Sequence, residues 1–232
     1  FYQVIISFCL VGAVLSGSGA ADTLGKLGSV NALGGAFMVA LAAGFSVFWM
    51  TRLKLPVSTS QAIVGAIIGW NFFAGMLTDY NSLTKIVLSW VISPVLAALF
   101  AVLIYLLVKK ALQIFSISVL RLDVYTRTGL IVVGAFGAYA LGANNIANVM
   151  GVFIPASPFS TVTVFGISFT STQQLFFLGS LAIAIGIFTY SHKVMQTVGN
   201  KVVKLTPLSA LVVVLAESLV LFLFASSAVH DW

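Results

Sequence analysis

Charge is what this sequence has least of. Lysine, arginine, aspartate and glutamate make up 7% of its 232 residues, while hydrophobic residues make up 60%. Soluble domains carry about a quarter charged residues. A chain this poor in charge cannot clothe a water-facing surface, so a soluble globular domain is excluded. Cysteine is nearly missing as well. Cys9 stands alone, which excludes an internal disulfide and any paired-cysteine metal or redox site. It lies in an apolar run and is expected to pack as a small residue. Glutamate occurs once, at Glu217, and histidine twice, at His192 and His230. With Cys9 they fall in different segments and supply no nucleophile, base or metal cluster, so a membrane-embedded enzyme is not expected. The two histidines sit at span ends, where an interfacial role is expected.

What is present is hydrocarbon. The mean hydropathy is +1.14, and runs of about 20 apolar residues can each cross a bilayer as a helix. Six runs qualify, roughly 2–20, 34–51, 86–108, 129–153, 173–190 and 207–225, with a seventh, polar-led segment at 56–75. An all-α, polytopic helical bundle embedded in a lipid bilayer follows. The net charge of +6 belongs to short connections and carries no nucleic-acid signal. Lys109, Lys110, Arg121, Arg127, His192, Lys193, Lys201 and Lys204 fall in 109–128 and 191–206, which places both in the cytoplasm, while the uncharged 154–172 lies outside. For 56–75 the alternatives are crossing and re-entry. Arg52 and Lys54 favour crossing, with two half-helices as one form of it. Residues 111–121 are too short to cross and are expected along the cytoplasmic surface. Phe1 follows no methionine or basic leader, so a piece of a longer protein is expected.

Polar groups inside the apolar runs are the functional candidates. Ser58, Thr59, Ser60 and Gln61 follow Pro56 and precede Ala62–Ile68. This is a helix start at depth. Its hydroxyls cap free N–H groups, and the positive end of the helix dipole favours an anion. Polar backbone survives at membrane depth only where protein buries it or water lines it. A second cluster, Asn144, Asn145 and Asn148, lies inside the run 129–153, with Asn144 and Asn148 on one helical face. Asparagine often serves only as interhelical hydrogen-bond glue. Three within five positions, beside Gly134, Gly137, Gly142 and Gly151, point instead to a site with close backbone approach or local unwinding. Glu217 is an intramembrane carboxylate, either a proton or cation site or a protonated acid bonded to a neighbouring helix.

A weak internal repeat is also present. Thr23-Leu24-Gly25-Lys26 matches Thr197-Val198-Gly199-Asn200 at an offset of 174 residues, which superposes 2–20 on 173–190 and 34–51 on 207–225. If 56–75 crosses, a full unit has an odd number of spans, which gives inverted repeats.

With both motifs in view, the chain resembles the inorganic phosphate transporter (PiT) family of cation-coupled symporters, in its bacterial or archaeal form. That family carries paired Gly-Ala-Asn-Asp-x-Ala-Asn-like and Pro-Val-Ser-Thr-Thr/Ser-His/Gln motifs. Gly142–Asn148 match the second copy of the former and Pro56–Gln61 the first copy of the latter. The resemblance implies an inverted-repeat fold with broken or re-entrant half-helices. Residues 1–110 form a first repeat without its first helix, 111–128 a cytoplasmic linker, and 129–232 a second repeat without its C-terminal part. It implies phosphate bound by Ser58, Thr59, Ser60, Gln61, Asn144 and Asn145, and a coupling cation, Na+ or H+, at Asn144, Asn145, Asn148 and Thr59. Na+ is the only metal implied, no cofactor is, and a homodimer is open. The family's usual aspartate is Asn145 here. A carboxylate accepts a hydrogen bond from protonated phosphate and repels sulfate, so a neutral Asn145 keeps sulfate open as the alternative anion. A passive anion channel is a further alternative, which would conduct without a cation gradient.

Overall fold

The computed structural model describes residues 2–28, 30, 32–53, 55, 57–115, 118–164, 166–201 and 205–225. Side chains at 2, 20, 119, 164, 167, 190–201 and 225 lie outside the description. Pro56, His230 and the side chain of His192 are therefore not described.

Eight α-helices occur among the described residues: α1 (Tyr2–Ser16), α2 (Ser18–Leu27), α3 (Leu33–Arg52), α4 (Thr59–Ala74), α5 (Tyr80–Phe115), α6 (Val119–Met150), α7 (Ser171–Lys201) and α8 (Pro207–Ala225). Five segments, from α3, α5, α6, α7 and α8, are long and apolar enough to cross a membrane, and α1 with α2 makes a sixth that bends by 57°. The apolar runs of the sequence thus appear as helices, and the polytopic helical architecture holds.

Two local features differ from the sequence reading, and a third adds to it. The run 2–20 is split, because Gly17 interrupts it between α1 and α2. Residues 111–115 extend α5 and 119–121 open α6, so 111–121 is not a separate surface segment. Leucine, lysine and arginine are good helix formers, and nothing between 109 and 115 stops the helix. The connection 154–172 holds a short antiparallel hairpin, β1 (Val162–Val164) with β2 (Ile167–Phe169), turning at Gly166 with φ +80°.

Apolar burial against lipid gives helices little reason to associate, so close packing over small residues does that work. α6 is the central post. A methyl on Gly142 would collide with the Cys9 backbone carbonyl, and one on Gly12 with that of Tyr139. α1 and α6 therefore touch backbone to backbone, with Cys9 buried between them as expected. Gly142 serves close approach, and α6 stays helical through it to Met150. The Ser16 and Tyr139 hydroxyls add a 2.6 Å hydrogen bond to this contact. On its other flank α6 meets α8, where Gly129 faces Leu211, Gly137 faces Ser218, and the Phe136 and Phe222 rings meet at a tilt of 54° with centroids 5.7 Å apart.

α3 and α4 form an antiparallel pair. A Cβ on Gly35, at the start of α3, would stand 2.6 Å from the Trp70 ring near the end of α4. α4 is one uninterrupted helix of 16 residues, capped by Ser58 and closed by Gly75 at φ 66°. The pair leaves from Leu27 and returns to it: the Asp79 N–H donates to the Leu27 carbonyl at 3.3 Å.

Element ends repeat at the offset of 174. α2 ends at Leu27 and α7 at Lys201; α3 opens at Leu33 and α8 at Pro207. The last residue of α1, Ser16, leads into Gly17, where a Cβ would lie 3.0 Å from the Phe176 ring in the first turns of α7. End-to-start contact is what opposite helix directions produce.

Candidate functional site

The two polar motifs meet. Asn148, near the C-terminal end of α6, points its amide at the first turn of α4. Nδ2 donates to Ser60 Oγ at 2.9 Å, with Thr59 Oγ1 at 3.5 Å and Asn145 Oδ1 at 3.3 Å. The partners on α4 are 88 and 89 residues away in sequence. Local chemistry explains why α4 begins where it does. Ser58 is extended, at φ −96° and ψ 120°, and its Oγ accepts from the Gln61 N–H at 3.3 Å. That satisfies one of the four free N–H groups of a helix start. The remaining N–H groups of that turn, with the Thr59 and Ser60 hydroxyls, stand at the positive end of the α4 dipole.

Asn145 and Asn148 sit three apart on α6, so both amides address the same opening. Asn144 is half-buried and makes no side-chain hydrogen bond among the described residues. Ser58, Thr59 and Gln61 are exposed, while Ser60, Asn145 and Asn148 are half-buried. The cluster is neutral and rich in donors, and its outer members, Ser58 and Thr59, are exposed. Such a set suits a tetrahedral oxyanion. Its hydroxyl and amide oxygens also suit a hard monovalent cation beside it.

Gln61 and Glu217 lie apart from this cluster. The Gln61 side chain lines an open groove of about 600 Å³ between α3 and α4, with Met38, Ser46, Gly65, Gly69 and Trp70. Its backbone N–H is taken by Ser58 Oγ, so what it does beside the cluster is hold the Ser58 cap in place. Glu217 is exposed on α8 and has no hydrogen bond or ion pair among the described residues. At the offset of 174 it corresponds to Ala43, which α3 buries.

One polar residue escaped the sequence reading. Asn71 is fully buried, at 0% exposure, in the last turn of α4. Its Nδ2 donates to the Leu27 carbonyl at 3.3 Å and to Thr78 Oγ1 at 3.0 Å. The signal was available: Asn71 interrupts the run Ala62–Phe73, eleven residues after Ser60 and so on the same helical face.

The molecule is a polytopic helical membrane protein with a polar cluster clasped between two of its helices. The phosphate transporter family model matches residues 3–229, and the chain belongs to that family. As the family and the helices together require, it is a multi-pass protein of the cell membrane. It is 29% identical to the "Putative phosphate permease PF1020" of Pyrococcus furiosus over 77% of this chain and 58% of that protein. It is 31% identical to the sulfate permease CysP of Bacillus subtilis over 70% of this chain and 42% of that protein. The solved structure of a sodium-dependent phosphate transporter superposes with a TM-score of 0.75 at 22% identity, over 99% of this chain and 77% of that one, and so shares the fold. The chain spans about three fifths of the length of the archaeal relatives it matches.

Proposed function

We propose that this chain is part of a secondary transporter that carries inorganic phosphate across the cell membrane, driven by Na+ or H+. The observation that carries the reading is the clasp of Asn148 on Thr59 and Ser60. It gathers hydroxyls, amides and a helix N-terminus at one point, and these are the groups an oxyanion needs. Ser58, Thr59, Ser60 and the N–H groups behind them bind the anion. Asn144 and Asn145 complete its shell, and Asn145, Asn148 and Thr59 supply oxygens to the coupling cation. Gln61 orients this set, its N–H holding the Ser58 hydroxyl at the helix start. The two repeats, 1–110 and 129–232 around the connection 111–128, rock against each other about this site. Sodium is the favoured coupling ion, since the structural neighbour is a sodium-dependent transporter. No single carboxylate in the described cluster offers a proton site.

Sulfate is the second reading, and Asn145 is the observation that favours it. A neutral amide there neither repels a fully deprotonated anion nor rewards a protonated one, and a relative of the chain is a sulfate permease. Uptake of labelled phosphate and sulfate into proteoliposomes holding the full-length protein tests both. Gradient-driven phosphate uptake supports the first reading and gradient-driven sulfate uptake the second. Uptake of neither, or flux indifferent to the cation gradient, rejects the transporter assignment.

A further inference from the structure

We propose that Asn71 is a positioning residue for the anion site, setting the axial register of α4 and thereby where Thr59 and Ser60 stand against Asn148. This rests on the reading of those three residues as the site. Ser60 and Asn71 are eleven residues apart, close to three helical turns and about 17 Å, so one face of α4 carries both. Between them the same face carries Ile63, Val64 and Ile67, all buried. Polar anchors thus close both ends of an apolar stripe. Among the described residues, the side-chain hydrogen bonds that leave α4 for other elements run from these two ends alone: Asn71 to Leu27 and Thr78, and Asn148 to Thr59 and Ser60.

Apolar contacts between aliphatic side chains tolerate sliding and rotation, whereas a buried amide fixes one alignment. A single buried asparagine sets register in coiled coils in this way, at a cost in stability. The cost is visible here. Asn71 Oδ1 is buried and has no hydrogen-bond partner among the described residues. An amide kept despite an unsatisfied acceptor is there for alignment rather than for stability. Gly28, the residue that follows α2, faces it: a methyl on Gly28 would collide with the Asn71 amide, although its extended backbone, φ −166°, admits any residue. α4 is rigid and unbroken, so a shift at Asn71 reaches the first turn undiminished.

The test uses the full-length protein in proteoliposomes, with Asn71→Leu and Gly28→Ala. Leucine keeps the volume and removes the alignment; alanine displaces the amide without changing α4. The first readout needs no anion. It is the disulfide cross-linking rate of a Ser60→Cys, Asn148→Cys pair in a full-length background with every native cysteine, Cys9 included, replaced by alanine. The second is KM and maximal rate for phosphate uptake in chains with native cysteine content. Asn71→Leu is expected to keep or raise the melting temperature, slow cross-linking several-fold, and raise KM about tenfold, the weight of one well-placed hydrogen bond, with a smaller change in maximal rate. Unchanged cross-linking and KM in a folded Asn71→Leu protein would overturn the proposal. If that variant does not fold, Gly28→Ala decides by the same two readouts. Slowed cross-linking in a protein that transports no anion would support the register role and reject the anion site.

Discussion

Asn148 Nδ2 lies 2.9 Å from Ser60 Oγ, joining the end of α6 to the start of α4 across 88 residues of sequence. Each partner alone has an ordinary structural explanation, as helix glue or helix cap. Their contact turns two local motifs into one cluster of donors.

Gly142 and Gly12 should be intolerant of side chains, because each faces a backbone carbonyl with nowhere to move. Gly142→Val is expected to cost about 1–3 kcal/mol as overpacking, read as a lower melting temperature in detergent. Gly25→Ala is the control. Nothing stands within 4 Å of a Cβ there, and the exposed α2 position should gain roughly 0.5–1 kcal/mol from reduced chain entropy. Equal effects at the two positions would contradict the packing described for α1 and α6.

Asp79 caps α5. It accepts from Ser82 Oγ at 2.6 Å and from the N–H groups of Asn81 and Ser82 at 3.0 and 3.3 Å. The Ser82 hydroxyl first, and the Asn81 N–H next, hold its carboxyl below the usual range. A depressed folded-state pKa adds stability that is complete above the unfolded value and is lost as pH falls through the folded one. The melting-temperature gap between the native protein and Asp79→Ala should therefore hold near neutrality and close in acid. A gap that widens in acid has the wrong sign for this cap.

Asn145 should tune anion choice. Asn145→Asp places a carboxylate where protonated phosphate can donate to it and sulfate cannot. The phosphate-to-sulfate uptake ratio is expected to rise about tenfold, as one hydrogen bond gained against one charge repulsion allows. An unchanged ratio would remove Asn145 from the anion shell.

Much of this was readable because lipid imposes a simple grammar. α3 and α8 occupy Leu33–Arg52 and Pro207–Ala225, close to the apolar runs 34–51 and 207–225. Ser58–Gln61 and Asn144–Asn148 stood out because polar groups in hydrocarbon need a reason. The break at Gly17 was hidden, since an isolated glycine in an apolar run signals packing as readily as interruption. The extension of α5 to Phe115 and the start of α6 at Val119 were hidden too, since lysine and arginine mark a membrane boundary without ending a helix. Asn71 was missed because its partners, Leu27 and Thr78, lie in other elements. No local pattern announces a backbone carbonyl as a partner.

The most direct test of the central claim is a double-mutant cycle on phosphate affinity, measured by equilibrium binding to the purified full-length protein with Ser60→Ala, Asn148→Ala and the pair. If the two residues form one site, the losses are non-additive, with a coupling of about 0.5–3 kcal/mol. Affinities that fall additively, or do not fall at all, would contradict a shared site.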